Sequence, residues 1–119
     1  MSIAIRDEST ELALQGDKVW LRDIASAAAK ELEVEIGLVS GSYVKGFLTG
    51  LDELWVQLTT SDERERTLIN IQNIQSVKFT KKTIESSGLN ETTKKSIRGY
   101  SISFRRTAEE YLNDANAKR

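Results

Sequence analysis

Hydrophobic and polar residues alternate along the middle of the chain with a period of two, the pattern of half-buried β-strands. In the first such run Val34, Ile36 and Leu38 alternate with polar or small residues. Four similar runs follow, separated by short turns: YVKGFLTG, LWVQLTT, TLINIQ and IQSVKFT. Since the chain contains no proline to interrupt a ladder, the pattern predicts five sequential antiparallel strands that close as a small, strongly bent barrel.

The segment before the strands has a helical period instead. After Asp17, a suitable N-cap residue, the apolar side chains of Trp20, Ile24, Ala28 and Leu32 recur near one stripe. The alanines between them are strong helix formers. The sequence therefore predicts an amphipathic helix in front of the barrel.

The last part of the chain is predicted to be a second helical segment. Asn90 can cap it, and Ile97, Phe104 and Ala108 recur at helical spacing. The predicted fold is thus mainly β with flanking helices. Its parts are a weakly ordered segment (1–16), a domain (17–82, with helix 17–32 and strands 33–80) and a C-terminal helical extension (83–119).

The composition excludes several classes of protein. The chain of 119 residues has the length of one domain and has no cysteine and no histidine, so disulfides, thiolate chemistry and histidine-dependent catalysis are excluded. No tight acidic cluster, phosphate-binding loop or nucleophile elbow is visible either. We therefore predict a protein that is not an enzyme and needs no metal or cofactor. Without an export signal or a long apolar run, it is expected in the cytoplasm and not in a membrane.

Charge is distributed unevenly along the chain. Residues 1–60 carry 5 basic and 10 acidic side chains, whereas residues 61–119 carry 12 and 8. Between Lys78 and Arg106 there are 8 basic and 2 acidic residues, an excess that attracts phosphate backbones, although a solvated helix face would have a similar composition. The predicted basic surface, which could attract a nucleic acid, comprises Lys78, Lys81, Lys82, Lys94, Lys95 and Arg98.

Three residues in the second and third runs have a recognisable spacing. Gly41 follows the first strand, Gly46 lies inside the second, and Asp52 precedes the third. With the alternating apolar residues around them, they make residues 33–79 resemble an Sm-like domain, closest in style to the bacterial Hfq branch. The resemblance implies that Gly41 makes a tight turn, that Gly46 lets the second strand bend, and that Asp52 bonds nearby backbone amides or contacts a base.

The second motif of that family resembles TLINIQNIQSVKF, which contains the fourth and fifth strands. A competing interpretation assigns the motif to SIRGYSISF, residues 96–104, because its Ile-Arg-Gly matches eukaryotic relatives better. That alternative would leave residues 61–95 as an unusually long loop between strands.

The resemblance also implies an assembly. Family members pair the fourth strand of one protomer with the fifth strand of the next, which gives a head-to-tail contact that must close into a homo-oligomeric ring. The predicted interface residues in this chain are Thr67, Leu68, Ile69, Ile71, Ile74, Val77 and Phe79.

The positions that hold single-stranded RNA near the pore in the family are Asp52, Leu54, Gln72 and Asn73 in this sequence. Leu54 occupies the stacking position but has no aromatic face, and stacking is worth about 1–3 kcal/mol per base. Gln72 can still contact a base edge through its amide, yet neither loop position is charged. The resemblance thus implies an RNA-binding ring. The alternative is a structural or protein-interaction ring that has lost base recognition and has protein partners.

One face of the second strand combines aromatic and basic residues. Tyr43, Lys45 and Phe47 alternate onto this face. It could bind a strand of RNA or receive the C-terminal helix, and helix packing is the prediction, because the apolar stripe of that helix needs a surface.

Overall fold

The computed structural model describes residues 18–60 and 64–117, and its first element is helix α1, Lys18–Ala29. Leu21, Ile24 and Ala28 are buried on one side of α1, as their helical spacing requires. The helix ends before the predicted limit at residue 32 because Glu31 has a left-handed backbone with φ 58°. The prediction for residues 1–16 lies outside the described residues.

Five antiparallel strands form one open sheet in the order β4-β3-β2-β1-β5. This confirms the fold class that the alternating pattern predicts. Short 3-10 turns at Ile71–Asn73 and Glu85–Ser87 flank the last strand. The strands are β1 (Leu32–Leu38), β2 (Tyr43–Leu51), β3 (Trp55–Thr59), β4 (Arg66–Asn70) and β5 (Ile74–Thr83).

Two glycines occupy the positions where the sheet turns and bends. Gly41, with φ 94°, lies in the β1–β2 turn and donates its N–H to the carbonyl of Leu38 at 2.9 Å. In β2 a Cβ atom on Gly46 would lie 2.7 Å from the carbonyl oxygen of Thr59. Both positions therefore require glycine, the first for its backbone conformation and the second for a close approach of β3.

The core lies between one face of the sheet and α1. Val34 and Ile36 from β1, Leu48 from β2 and Leu58 from β3 are all buried there with the apolar stripe of α1. These residues alternate along their strands with side chains on the opposite face, which we call the outer face.

Helix α2, Glu91–Ala117, completes the fold. Asn90 caps it, since the Asn90 side-chain oxygen accepts from the Thr93 N–H at 2.9 Å. The buried positions on α2 are spaced as i, i+4, i+7 and i+11. Phe104 and Ala108 join the core beside α1, whereas Ile97 packs against Phe47 on the outer face. The buried positions are Ile97, Ser101, Phe104 and Ala108.

The position of α2 decides between the two assignments of the second motif. Residues 96–104 lie inside α2, so the interpretation that places the motif at SIRGYSISF is wrong. The segment TLINIQNIQSVKF instead contains β4 from its second residue onward and the start of β5.

Candidate nucleic-acid interface

The turn between β2 and β3 is organised by Asp52. Its Oδ1 accepts hydrogen bonds from the backbone N–H groups of Leu54 and Trp55, each at 2.8 Å. The carboxylate thus caps the turn and leaves Leu54 48% exposed at its tip. Tyr111 of α2 lies near this turn: burial raises the pKa of its hydroxyl, and the carboxylates of Glu53 and Asp52 raise it further.

The β2–β3 turn lies against the short turn between β4 and β5. The Ile71 N–H donates to the carbonyl of Leu54 at 2.8 Å, and the Gln72 N–H donates to the Asn70 side chain at 2.9 Å. The structure therefore brings together four of the residues that the sequence singled out, and we call them the loop cluster: Asp52, Leu54, Gln72 and Asn73. Amide and aliphatic groups can contact a base edge, but the cluster has no cation.

A groove of about 470 Å³ runs from the loop cluster along β4. Its walls combine apolar side chains with the amides of Asn70, Gln72 and Asn73. Trp55, 38% exposed, and Leu68, 61% exposed, lie on this wall. The groove therefore joins the loop cluster to the edge of the sheet.

The two edge strands carry the residues predicted to form an interface. Leu68 on β4 and Phe79 on β5 are large exposed apolar residues, Phe79 at 44%. Ile69, Ile71 and Ile74 are instead buried within the chain. Thr67 and Val77 are partly buried. The exposed members can contribute side chains to a contact between copies, whereas Ile69 and Ile74 can contribute only their backbone groups.

The outer face carries an aromatic and basic platform on β2, β1 and β5. Tyr43 pairs with Gly37, and Gly37 pairs with Ser76; in the next row on the same face Lys45 and Lys78 both pair with Glu35. We call Tyr43, Lys45, Ser76 and Lys78, which surround Gly37, the outer-face platform.

The geometry of the platform leaves an aromatic ring open to a ligand. Tyr43 is 63% exposed, and the Nζ of Lys78 lies 5.9 Å from its ring centroid. A Cβ on Gly37 would meet Ser76 Oγ at 2.4 Å and Tyr43 Cε1 at 3.5 Å, so the absence of a side chain lets the ring lean across the sheet. Lys45 forms an ion pair with Glu35 at 3.7 Å.

The prediction that the C-terminal helix packs on this face is right for Phe47 and wrong for Tyr43. Phe47 is 1% exposed because Ile97 of α2, together with Ile84, covers it. Tyr43 lies two rows away on the same strand and remains uncovered. The alternation along β2 indicates that Tyr43 and Phe47 share a face, but no feature of the sequence indicates where α2 stops covering that face.

The predicted basic surface divides into paired and exposed cations. Lys94 forms ion pairs with Glu85 at 3.4 Å and with Glu91 at 3.7 Å. Arg98 Nη2 donates to Glu31 at 3.1 Å and to Glu85 at 3.3 Å. The other predicted cations, Lys78, Lys81, Lys82 and Lys95, have exposed side chains.

The ion pairs of Lys94 and Arg98 connect α2 to the rest of the domain. The hydrogen bond to Glu31 raises the pKa of Arg98, and the nearby charge of Lys94 followed by the hydrogen bond from Arg98 lowers the pKa of Glu85. Glu31 begins the turn into β1 and Glu85 follows β5, so these contacts join three segments of the chain. We call Glu31, Glu85, Lys94 and Arg98 the α2 clamp.

Within residues 18–60 and 64–117, no cluster of three or more acidic side chains is suited to holding a metal ion. Neither helix of the described part is long and apolar enough to span a membrane.

Comparison with known proteins gives a family match. The model of a family described as Hfq-like protein matches residues 8–105. The structure is similar to one titled "1.55 A Crystal structure of the pleiotropic translational regulator, Hfq", with 19% identity and a TM-score of 0.48 over 54% of this chain and 94% of that chain. No curated protein matches the sequence.

Proposed function

The chain belongs to the Hfq-like protein family, and from this premise we propose that it is a non-enzymatic protein that forms a homo-oligomeric ring and binds single-stranded RNA in the cytoplasm. The observation that carries the proposal is the outer-face platform, where an exposed tyrosine ring lies beside an exposed lysine.

The arrangement of the edge strands supports the ring. Strands β4 and β5 are the two ends of the sheet order, so within the described residues each has one row of backbone N–H and C=O groups without a strand partner. Pairing β4 of one copy with β5 of the next satisfies both rows and covers Leu68 and Phe79. Because the two surfaces differ, the contact is head-to-tail, and every edge strand finds a partner only when the contacts close into a ring.

The platform suits a single strand of nucleic acid. A base can stack on the Tyr43 ring only if its face is free, which a duplex does not allow. Lys78 beside the ring can pair with the adjoining phosphate, and Lys81 and Lys82 continue the positive charge at the end of β5. In a ring, each protomer would present one platform to a continuous strand.

The loop cluster contributes base contacts of a weaker kind in this proposal. The side-chain amide of Gln72 can donate to or accept from a base edge, and Asn73 extends the same rim. Leu54 offers only apolar contact. We therefore assign most of the affinity to the platform and the lysines, and a preference among bases to the loop cluster.

A structural or protein-interaction ring is the second candidate, and one observation favours it. The loop cluster lacks the cation and the aromatic residue expected at these positions, and its exposed Leu54 would suit an apolar protein contact equally well.

The two candidates differ in their response to RNA and salt. We expect labelled oligoadenylate or oligouridylate to bind the purified protein in fluorescence anisotropy, with an affinity that falls steeply as salt rises. Light scattering on the same sample should give a multi-subunit mass. If the protein forms a ring but binds neither oligoadenylate nor oligouridylate at low salt, the RNA proposal is contradicted and the protein-interaction ring is favoured. A monomeric mass would contradict the proposed assembly.

Two variants and one control locate the contacts. Lys78→Gln should weaken binding and lower the slope of log affinity against log salt by about 1, since one phosphate contact is lost. Lys30→Gln removes the same charge from an exposed position at the end of α1 and should leave the slope unchanged. Gln72→Ala should reduce the difference between the two oligomers without changing the slope.

A further inference from the structure

An acidic residue, Glu35, lies between the two lysines of the outer-face platform. On β1 it pairs with Lys45 of β2 on one side and with Lys78 of β5 on the other. Its carboxylate forms the 3.7 Å ion pair with Lys45, and 25% of its side-chain surface stays exposed. The platform therefore contains a hydrogen-bond acceptor as well as cations, and phosphate contacts give no role to this acceptor.

Glu35 lies within reach of a base that stacks on Tyr43. Gly37, the strand partner of Tyr43, is two residues from Glu35 on the same face of β1, so the two rows are about 7 Å apart. The side chain of Lys78 spans this distance, since it starts in the row of Glu35 and its Nζ lies 5.9 Å from the Tyr43 ring centroid. The Tyr43 ring leans over Gly37, so a base stacked on it would lie above β1 with one edge toward Glu35.

A carboxylate distinguishes bases by their exocyclic groups. It only accepts hydrogen bonds, so it can bind the amino group on C4 of cytosine but not the carbonyl oxygen that uracil carries there. Uracil can offer its N3–H, but this group is flanked by two carbonyl oxygens that would then face the negative charge. The hydroxyl of Ser76, which lies over Gly37, can donate or accept and therefore does not discriminate between the two bases.

From this geometry we propose that Glu35 is a specificity-determining residue of the outer-face platform. It accepts a hydrogen bond from the exocyclic amino group of a base stacked on Tyr43, and so favours cytosine over uracil. The ion pair with Lys45 holds the carboxylate on this face of the sheet. The proposal rests on the proposed function, because it needs a single strand on the platform, and it adds a base contact separate from the amides of the loop cluster.

The test compares labelled oligocytidylate and oligouridylate of equal length, because the two pyrimidines offer similar rings for stacking and differ along the C4–N3 edge. The wild-type protein should bind oligocytidylate roughly tenfold more tightly in fluorescence anisotropy. In Glu35→Gln the ratio of the two affinities should fall to about 1, since an amide can accept from an amino group or donate to a carbonyl. The matched control, Glu109→Gln, removes the same charge from an exposed position on α2 and should keep the wild-type ratio.

Two further variants separate base recognition from a purely structural ion pair. Glu35→Asp keeps the negative charge but withdraws the carboxylate by one methylene, so it should also lower the ratio. Tyr43→Ala removes the ring that holds the base, so Glu35→Gln should change the ratio in the wild-type background but not in the Tyr43→Ala background. Circular dichroism and light scattering should give the same fold and mass for all variants.

The ratio of the two affinities decides the role of Glu35. The role is overturned if the wild-type protein binds both oligomers equally, if Glu35→Gln keeps the wild-type ratio, or if Glu109→Gln lowers the ratio as much. An equal effect of Glu35→Gln with and without the Tyr43 ring would also overturn it. Failure of the proposed function has a different signature, because the wild-type protein would then bind neither oligomer at low salt, and the role of Glu35 would be rejected with it.

Discussion

Phe47 and Tyr43 lie on the same strand and the same face of the sheet, four residues apart, yet their environments are opposite. Phe47 is 1% exposed beneath α2, whereas Tyr43 is 63% exposed beside Lys78. The first aromatic residue is part of a core and the second is available to a ligand. What separates them is the reach of α2 and not the strand that holds them.

This difference shows how one strand can serve stability and binding together. The apolar stripe of α2 supplies Ile97 to cover Phe47, and Ile84 before the helix adds to the same cluster. The rows nearer the β1–β2 turn, with Tyr43 and Lys45, are exposed. The covered half of β2 should therefore respond to substitution through folding, and the open half through binding.

The largest expected effect comes from truncating the covered aromatic residue. Phe47→Ala should lower the free energy of unfolding by about 3–5 kcal/mol, because it leaves a cavity under α2. Tyr43→Ala should change it by no more than about 0.5 kcal/mol, since the side chain is exposed. Urea unfolding at equal protomer concentration, followed by circular dichroism, measures both. Equal losses for the two variants would contradict the division of β2 into covered and open halves.

The next largest effect concerns the glycines. Gly46→Ala should lower the free energy of unfolding by about 1–3 kcal/mol, because its Cβ would meet the backbone of Thr59 at 2.7 Å. Gly99→Ala is the matched substitution on α2, where, apart from the backbone of the helix itself and the neighbouring residues, no atom of the described structure lies within 4 Å of the added Cβ. It should raise the free energy of unfolding by about 1 kcal/mol through helix propensity. The same urea titration measures the expected loss of stability for Gly46→Ala and the expected gain for Gly99→Ala. A Gly46→Ala variant that is more stable than the wild type would show that β3 does not approach β2 closely.

The smallest effect is the pH dependence of the α2 clamp. Lys94 and Arg98 hold the pKa of Glu85 below its usual 4.5. A carboxylate whose pKa is depressed by folding contributes stability above its unfolded pKa and loses it as pH falls through the folded pKa. Thermal unfolding should therefore show a small loss of stability below pH 4.5 that Glu85→Gln reduces. A variant with the same pH profile as the wild type would contradict the contribution of this ion pair.

Much of the fold follows from the sequence because it depends on local patterns. The alternation through Val34 and Ile36 predicts β1, and the capping residue Asn90 predicts where α2 begins. The first helix was predicted too long, since nothing marks Glu31 as the residue whose backbone turns left-handed. Leu21, which is fully buried, lies outside the predicted stripe, which begins at Trp20.

The candidate site was less predictable because it depends on contacts between distant segments. The exposure of Tyr43 is decided by where α2 stops covering the sheet, and its approach to Lys78 by the pairing of β1 with β5. Equally, Lys94 and Arg98 counted as basic surface in the sequence but are paired in the structure with Glu31 and Glu85. The charge pattern of the sequence identifies basic residues that could bind a nucleic acid. Acidic residues from other segments of the chain decide which of these basic residues stay unpaired.

The most direct test of the outer-face platform is the affinity of oligoadenylate for Tyr43→Ala compared with Tyr43→Phe, at one salt concentration. The platform predicts a loss of about 1–3 kcal/mol of binding free energy for the alanine variant and little loss for phenylalanine, which keeps the stacking ring. Equal affinity of the wild-type protein and Tyr43→Ala would contradict it.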